Sequence, residues 1–468
     1  MDDPGVNKDV PTCPSCVVLQ ARVTELERRL EEVTAKFEAS RRIAKRQAAP
    51  FSKGGPKPNP RVPGRKAGPE HGTHSHRTIP DTEPDQVIDV SLPPRCPHCQ
   101  GPTRPDGLTC QHQLDIPRQP IHRRFDIHVG HCVRCGKRVQ GRHELQTSDA
   151  LGAAACQIGP DAQAAVVHLN KTCGLSHGKI ADVFAQLLGL DLSRGGACRI
   201  MLRAARRCRP TYDAIAAAIP QAPALTADET GWRIGGSLAW LHALVSVDLT
   251  CYVIDRLRGF SVPRRILGHD FAGFLSHDGW RAYDRFFQAA HQTCFNHLLT
   301  RCRNMLEVAS AGAVRFPRQI QGLLRDGLDL RDRYHAGEVG PRGLAIARGR
   351  LEHRLDDLLA PARDNPANQR LANHLFTHRR QMFTFLTLPW IDVPGAEATN
   401  WRGEQALRPA VVNRKVWGGN RTAAGAAAQA TLMSVLRTWQ QRSQQGIAML
   451  HRVLCQPQLL PCLMPAGP

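Results

Sequence analysis

The apolar residues of this chain change their spacing several times, and each change marks a boundary. Leu19, Val23, Leu26, Leu30, Val33 and Phe37 recur at alternating intervals of four and three, a heptad a/d pattern with Arg22, Glu25, Arg28, Arg29 and Glu32 between them. This predicts a coiled-coil dimerisation helix over 17–46, too short to hold two chains together without other contacts. The pattern stops at 50–69, where six Pro and four Gly mark a linker, assigned to 47–94. Leu114–Ile116 and Phe125–Val129 alternate like strands. Helical periodicity follows at Asp161–Asn170, Ser176–Leu188 and Ser193–Arg207, with Ser176 and Ser193 placed as N-caps. The break Gly189–Leu192 gives the 155–215 unit a helix-turn-helix look, although a plain helical bundle fits equally well.

Strand patterns then take over. Ala224–Trp232 contains Asp228 at a strand end, and Leu238–Val247 and Thr250–Leu257 form a meander turning at Asp248-Leu249. Phe274–His277 ends on Asp278, a helix is expected at Trp280–Phe287, and Gln292–Phe295 is strand-like. Residues 298–392 are mostly helical and charged. Thr399 is placed to cap a short helix that Pro409 ends. Acids at strand ends around an antiparallel meander, followed by helices, are the pattern of an RNase H-like α/β core.

Composition adds a partner. The chain has 468 residues and a formal charge of +21, and 42% of it is apolar, enough for a folded core. No uncharged apolar run approaches the ~18 residues of a membrane helix. The Met-Asp-Asp-Pro start has no apolar secretory core, so a cytoplasmic location is expected. A basic excess of this size points to nucleic acid, the plainer reading being charge for solubility alone. From Arg41 to Arg77 ten Lys or Arg face one acid, Glu70. Lys57, Arg61, Arg65 and Lys66 lie in this arm, suited to the DNA backbone unless it is simply a solvated linker. Arg194, Arg199, Arg203, Arg206 and Arg207 on the last helix of the 155–215 unit also suit phosphates.

There are 16 cysteines. In a reducing compartment they are not read as disulfides. Cys156, Cys173, Cys198, Cys208 and Cys251 stand singly and read as buried small hydrophobes. Cys96-Pro-His-Cys99 and Cys132-Val-Arg-Cys135 are each followed within two residues by Gly. That double spacing predicts one closed, structural Zn²⁺ site in a zinc ribbon over 95–145, with a β-hairpin between the knuckles. His98, Cys110 and His131 are less regular substitute ligands. Cys13 and Cys16 cannot close a site alone, but two chains of a parallel dimer supply four thiolates.

The acids carry the chemistry. Metal-dependent phosphodiester cleavage activates water or a 3′-hydroxyl at one ion and stabilises the leaving oxygen at another. Mg²⁺ takes few carboxylates plus water and phosphate. Asp228 and Asp278 are the strand-end candidates, against the plainer reading of turn caps. Glu404 is the third: the sole acid from 398 to 445, among Arg402, Arg408, Arg414, Lys415 and Arg421. A surface Glu in a local ion pair is the alternative, and Glu397 competes for the same role. Cys294 and His297, with Cys302 nearby, are either a zinc set or core packing at a strand-to-helix junction.

Four segments carry a resemblance: Ala227-Asp228-Glu-Thr-Gly-Trp232, Asp278-Gly-Trp-Arg-Ala-Tyr283, Cys294-Phe-Asn-His297, and the run from Thr399 through Glu404 to Thr422. Together they resemble transposases of the insertion sequence 66 family. The resemblance covers most of the chain and implies a DDE transposase with Asp228, Asp278 and Glu404 as its catalytic triad. It implies an RNase H-like core at 222–297 and 396–455, split by a helical insertion at 298–395. It also implies two Mg²⁺ (or Mn²⁺) ions, double-stranded DNA as transposon end and target, and a homodimer or higher oligomer near a bacterial nucleoid. Trp401 and Gln405 depart from the commoner family form, which has Asn and Arg there, so DNA contacts around the Glu differ. The rivals are a non-catalytic zinc-ribbon regulator and an RNase H-like nuclease without strand transfer.

Overall fold

The computed structural model describes residues 19, 21–32, 82–84, 86–89, 93, 95, 98–102, 104, 110, 120–151, 157–309, 311–456 and 458–463. Two compact units divide the chain, Met1–Leu114 and Asp115–Pro468. In the first, residues 21–32 form helix α1. Its heptad residues are open to solvent, Leu19 at 64% and Leu30 at 67% exposure, while Arg28 and Arg29 pair with Glu25 along the helix at 3.0 Å. Cys99 lies in a turn closed by an antiparallel bridge between Arg95 and Pro102. Cys13, Cys16, Val33, Phe37, Cys96 and the linker residues Lys57, Arg61, Arg65 and Lys66 lie outside the described residues.

The second unit begins with a two-stranded hairpin, β1 (Val129–His131) against β2 (Arg138–Gln140). Cys132 and Cys135 sit in its turn, where Cys132 N–H donates to the Lys137 carbonyl (2.8 Å) and Gly136 adopts φ +67. The hairpin therefore runs through the second knuckle. Residues 125–128 are not strand, and 114–116 lie outside the described residues. The tight turn that the Cys-x-x-Cys-Gly sequence enforces is itself the hairpin turn.

Three helices follow: α2 (Pro160–Lys171), α3 (His177–Leu188) and α4 (Arg194–Ala218). Ser176 and Ser193 accept the N–H of Lys179 and Gly196, and Gly189 ends α3 in the left-handed region. Helix α4 runs well past the expected end at Arg207 and through Pro210, because its buried face continues through Cys208, Thr211, Tyr212 and Ile215. Cys208 and Cys251 are buried as expected, but Cys173 is exposed and Cys198 only half-buried.

Five strands form the main sheet, β3 (Ala224–Ile234), β4 (Ser237–Val245), β5 (Thr250–Asp255), β6 (Phe274–His277) and β7 (Ala290–Thr293). Their spatial order is β5-β4-β3-β6-β7. The first three are antiparallel and the last two join in parallel. A short helix α5 (Ser261–Leu267) precedes β6. The helix expected at Trp280–Phe287 is instead a chain of three-residue turns: Tyr283 N–H bonds Trp280, Phe286 bonds Tyr283 and Ala289 bonds Phe286. Trp280, Tyr283 and Phe286 recur at the three-residue spacing of these turns.

After β7 come α6 (Phe295–Val308), α7 (Arg315–His335), α8 (Pro341–Leu359), α9 (Pro366–His378) and the single turn α10 (Leu388–Ile391). They build a separate core from Phe316, Ile320, Leu323, Leu344, Leu371 and Phe383, joined to the sheet through Ala224 and Phe274. The chain returns as α11 (Trp401–Trp417), α12 (Ala423–Gln441) and α13 (Gly446–Cys455). Pro409 does not end α11. The helix lies on the sheet through Ala406, Leu407 and Ala410, and the buried Tyr252 hydroxyl donates to the Ala406 carbonyl (2.6 Å). That packing outweighs the ~3 kcal/mol an interior Pro costs. The helix stops at Gly418, φ +82. Thr399 is not its cap. Asn400 holds that position without a side-chain capping bond. Helices α2–α4, α12 and α13 share one core with a face of the sheet, so the 155–215 helices pack as part of the same layer.

Candidate active site

Asp228 lies in the middle of β3, not at its end as expected. Its position is nevertheless special. Antiparallel pairing with β4 continues past it, Asp228 facing Ala243, but parallel pairing with β6 stops at Thr226–Ser276. Carrying that register two residues further sets Asp228 level with Asp278, the residue at which β6 ends. Asp278 accepts the Trp280 N–H (2.8 Å), and the intervening Gly279 has φ +90. A side chain at Gly279 would also come within 3.1 Å of His374 on α9.

Glu404 comes from the opposite direction, in the first turn of α11. Gly403 lets this turn press on β3, since a Cβ there would meet Asp228 Cβ at 3.1 Å. The Asn296 amide on α6 donates to both Glu404 carboxylate oxygens at 3.3 Å, and His297 Nδ1 stands 3.7 Å away. One strand, one strand-end loop and one helix N-terminus thus bring three acids together.

The electrostatics record that convergence. Burial pushes the Asp228 carboxyl up to about 8, and the negative charges of Glu229, Asp278 and Glu404 push the same way. Only the Glu229 N–H, 2.9 Å from Asp228, acts against them. Glu229 points to a network of its own. Its carboxylate accepts the Tyr283 hydroxyl (2.7 Å) and Arg258 (2.9 Å), whose guanidinium lies over Trp280 at 4.0 Å and Trp240 at 4.4 Å. Burial raises the Glu229 carboxyl, and the Tyr283 and Arg258 bonds offset part of that.

Among the described residues, two sets bring three metal-capable donor atoms within 4.8 Å of one another: His277, Asp284 and His291, and Cys294, His297 and Glu404. The oxygens of Asp228, Asp278 and Glu404 are not such a set. In the first set Gly279 N–H donates to His277 Nδ1 (3.1 Å), which puts the ring proton on Nε2. His277 then donates to His291 Nδ1 (3.1 Å), and His291 Nε2 donates to the Phe286 carbonyl (2.9 Å). Burial holds both rings neutral by lowering their affinity for a proton. With Nδ1 already accepting an N–H, His277 could ligate a metal at Nε2 only as an imidazolate. This relay therefore pins the Asp278 loop instead of holding an ion.

The remaining sequence candidates are spread out. Glu397 is held by Arg402 (2.9 Å) and by the Trp401 indole. Arg414 donates to the Gly231 carbonyl and to Thr230 (3.4 Å), clasping β3. Arg408, Lys415 and Arg421 are exposed on and just after α11. Cys302 is buried in the insertion core with Phe316 and Leu323, apart from Cys294 and His297. Cys132 has its thiol lowered by the N–H groups of Cys135 and Arg134, a turn that favours thiolate. Sequence reasoning missed Asn296, Arg258, Tyr283 and His374. Asn296 stands inside the Cys294-Phe-Asn-His297 segment, so a signal for it was present.

Residues 155–428 match the family described as Transposase IS66 family. The chain belongs to that family. No curated protein matches the chain. The family match begins before α2, spans the sheet and the whole α6–α10 insertion, and ends inside α12, so it contains Asp228, Asp278 and Glu404. An IS66-family transposase has DNA as its partner, and no helix among the described residues is long and apolar enough to cross a membrane.

Proposed function

We propose that this IS66-family transposase works by a DDE mechanism on an RNase H-like core, with Asp228, Asp278 and Glu404 as its metal-binding acids. The observation that carries this reading is their convergence: the β3–β6 register sets Asp228 level with Asp278, and Gly403 brings the first turn of α11, with Glu404, against Asp228. Three hard oxygen donors under mutual repulsion suit Mg²⁺ or Mn²⁺. The sheet order, three antiparallel strands and then two parallel ones, supports the RNase H-like assignment.

Two such ions held there would activate the attacking oxygen and stabilise the leaving one. The protein's part is placement. Gly403 sets Glu404 against β3, Asn296 orients its carboxylate, and the His277–His291 relay and Gly279 fix the loop that presents Asp278. Water attacks the phosphorus at the transposon end and the P–O bond to the 3′ oxygen breaks; the freed 3′-hydroxyl then attacks a target phosphorus in the same site, and the P–O bond to the target strand's 3′ oxygen breaks, leaving that oxygen as a new 3′-hydroxyl. Exposed Arg408, Lys415 and Arg421 are placed to hold the phosphate backbone.

In the same reading, the zinc ribbon expected from the sequence holds a structural Zn²⁺, with Cys132 and Cys135 among its thiolates. The thiolate-favouring turn at Cys132 fits that donor set. The zinc ribbon, the basic linker and the α2–α4 helices bind terminal inverted repeats, and α1 pairs two chains through Leu19, Val23, Leu26 and Leu30. The setting is the bacterial cytoplasm, at the nucleoid. The test is Asp278→Asn. It should abolish Mg²⁺-dependent end cleavage and joining of a pre-cut end while DNA binding persists. Retained joining by that variant would overturn the assignment.

A further inference from the structure

Cys294 is the N-cap residue of α6, directly between β7 and the first turn that carries Asn296 and His297. It is fully buried. Its sulfur accepts the Asn400 backbone N–H at 3.3 Å, while the first-turn N–H groups of α6 make no capping bond to it. That N–H and the N-terminus of α6, where Cys294 sits, both favour a thiolate. Burial works the other way and pushes the thiol up to about 11. As a thiol, Cys294 donates to Asn400 Oδ1 (2.9 Å), and the fully buried Asn400 Nδ2 has no partner. Turning that amide over would offer its N–H to a thiolate instead, replacing an orphaned donor with the less costly orphaned carbonyl.

We propose that Cys294, His297 and Glu404 form a second kind of metal site, one for a thiolate-binding divalent ion of the Zn²⁺ class. Their donor atoms already lie within 4.8 Å of one another, and His297 Nδ1 is 3.7 Å from Glu404. Ligand atoms around a tetrahedral Zn²⁺ stand roughly 3.5 Å apart. His297 is 47% and Glu404 34% exposed, so both can close that gap by side-chain rotation. Sulfur, imidazole and carboxylate together select Zn²⁺ over Mg²⁺. Three protein ligands leave one position open toward solvent. Binding there releases the Cys294 proton and draws Glu404 off the acids on β3 and β6. The inference rests on Glu404 lying at the proposed catalytic site only for this last consequence, not for the ion's binding.

The test is Co²⁺ titration of the reduced, metal-stripped full-length chain, reading bound equivalents and the thiolate-to-cobalt absorption band. The wild type should bind one equivalent more than Cys294→Ser, with a matching loss of band intensity. His297→Ala and Glu404→Gln, whose side chains are partly exposed, should weaken that same equivalent by about tenfold or more. Cys302→Ser should leave it intact. Equal stoichiometry and band in wild type, His297→Ala and Glu404→Gln overturns the site, even if Cys294→Ser does not fold. Loss of the Co²⁺ equivalent in the variants while Glu404→Gln still cleaves DNA keeps this site and removes the proposed function. Unchanged Co²⁺ binding with cleavage abolished does the reverse.

Discussion

Gly403 lies so close to Asp228 that a methyl group on it would come within 3.1 Å of the Asp228 Cβ and 2.9 Å of Thr226 Cγ2. The first turn of α11 can sit on β3 only because that position has no side chain. Both contacting atoms belong to a buried, hydrogen-bonded strand, which cannot yield as a flexible side chain would.

Gly403→Ala should therefore act on the site as well as on stability. Overpacking of this kind costs about 1–3 kcal/mol, and lifting α11 carries Glu404 with it. Gly349, on an exposed stretch of α8, is the control, because nothing lies within 4 Å of its added Cβ. Gly349→Ala should gain about 0.5–1 kcal/mol from helix propensity. Chemical denaturation of the two variants reads both signs, and a Gly403→Ala protein as stable as Gly349→Ala would remove the close-contact argument.

Much of this arrangement was legible in the sequence. Ser176 and Ser193 capped the helices they were expected to cap, and the β3–β5 meander, Asp278 at the end of β6 and Glu404 on a basic helix all lie where pattern places them. What failed did so where packing overrules a local signal. Pro210 and Pro409 sit inside helices whose buried faces continue past them, and the 280–286 aromatics choose three-residue turns. The sequence pattern places Asp228 at a strand end, but β3 runs on to Ile234. Glu229 is buried in an ion pair with Arg258, a partner 29 residues away that no local pattern announces.

Asp228 should leave a mark on stability against pH. Its carboxyl titrates near 8 in the folded chain, against about 3.9 when unfolded. Between those values the folded state holds a proton that the unfolded state has lost, so stability falls as pH rises. Without added divalent metal, Asp228→Asn should match the wild type at pH 4 and exceed it increasingly up to pH 8, by an amount on the order of a few kcal/mol. Melting curves across that range in chelator are the measurement. A constant offset between the two proteins would mean that Asp228 is ionised throughout.

The histidines facing the Asp278 loop should produce the opposite slope. Burial lowers His374 to about 4, with His378 and Arg301 adding to the effect and Asp278 and Asp284 opposing it. The unfolded ring takes up its proton below about 6.5 while the folded one does not. Stability contributed by the neutral ring is therefore present above that pH and lost as pH falls toward 4. His374→Gln should flatten the decline in that window and leave stability above pH 7 little changed. An unaltered acid limb in the variant would place the ring in water.

Arg258 is the last case, and its value lies in what it covers. The Glu229 side chain is 2% exposed while Arg258 is 41% exposed and stacked between Trp240 and Trp280. Truncation by Arg258→Ala strips the cation from a buried carboxylate and leaves it only the Tyr283 hydroxyl. The loss should be about 2 kcal/mol, less than for a fully buried pair because the guanidinium is partly hydrated. Arg258→Lys should recover little, since an ammonium cannot fill the flat slot between two indoles while donating twice to one carboxylate. Glu229→Gln removes the charge that needs covering, so adding Arg258→Ala to it should cost less than Arg258→Ala alone. A double-mutant cycle by denaturant unfolding measures that difference, and strictly additive losses would mean that the stacked cation does not neutralise Glu229.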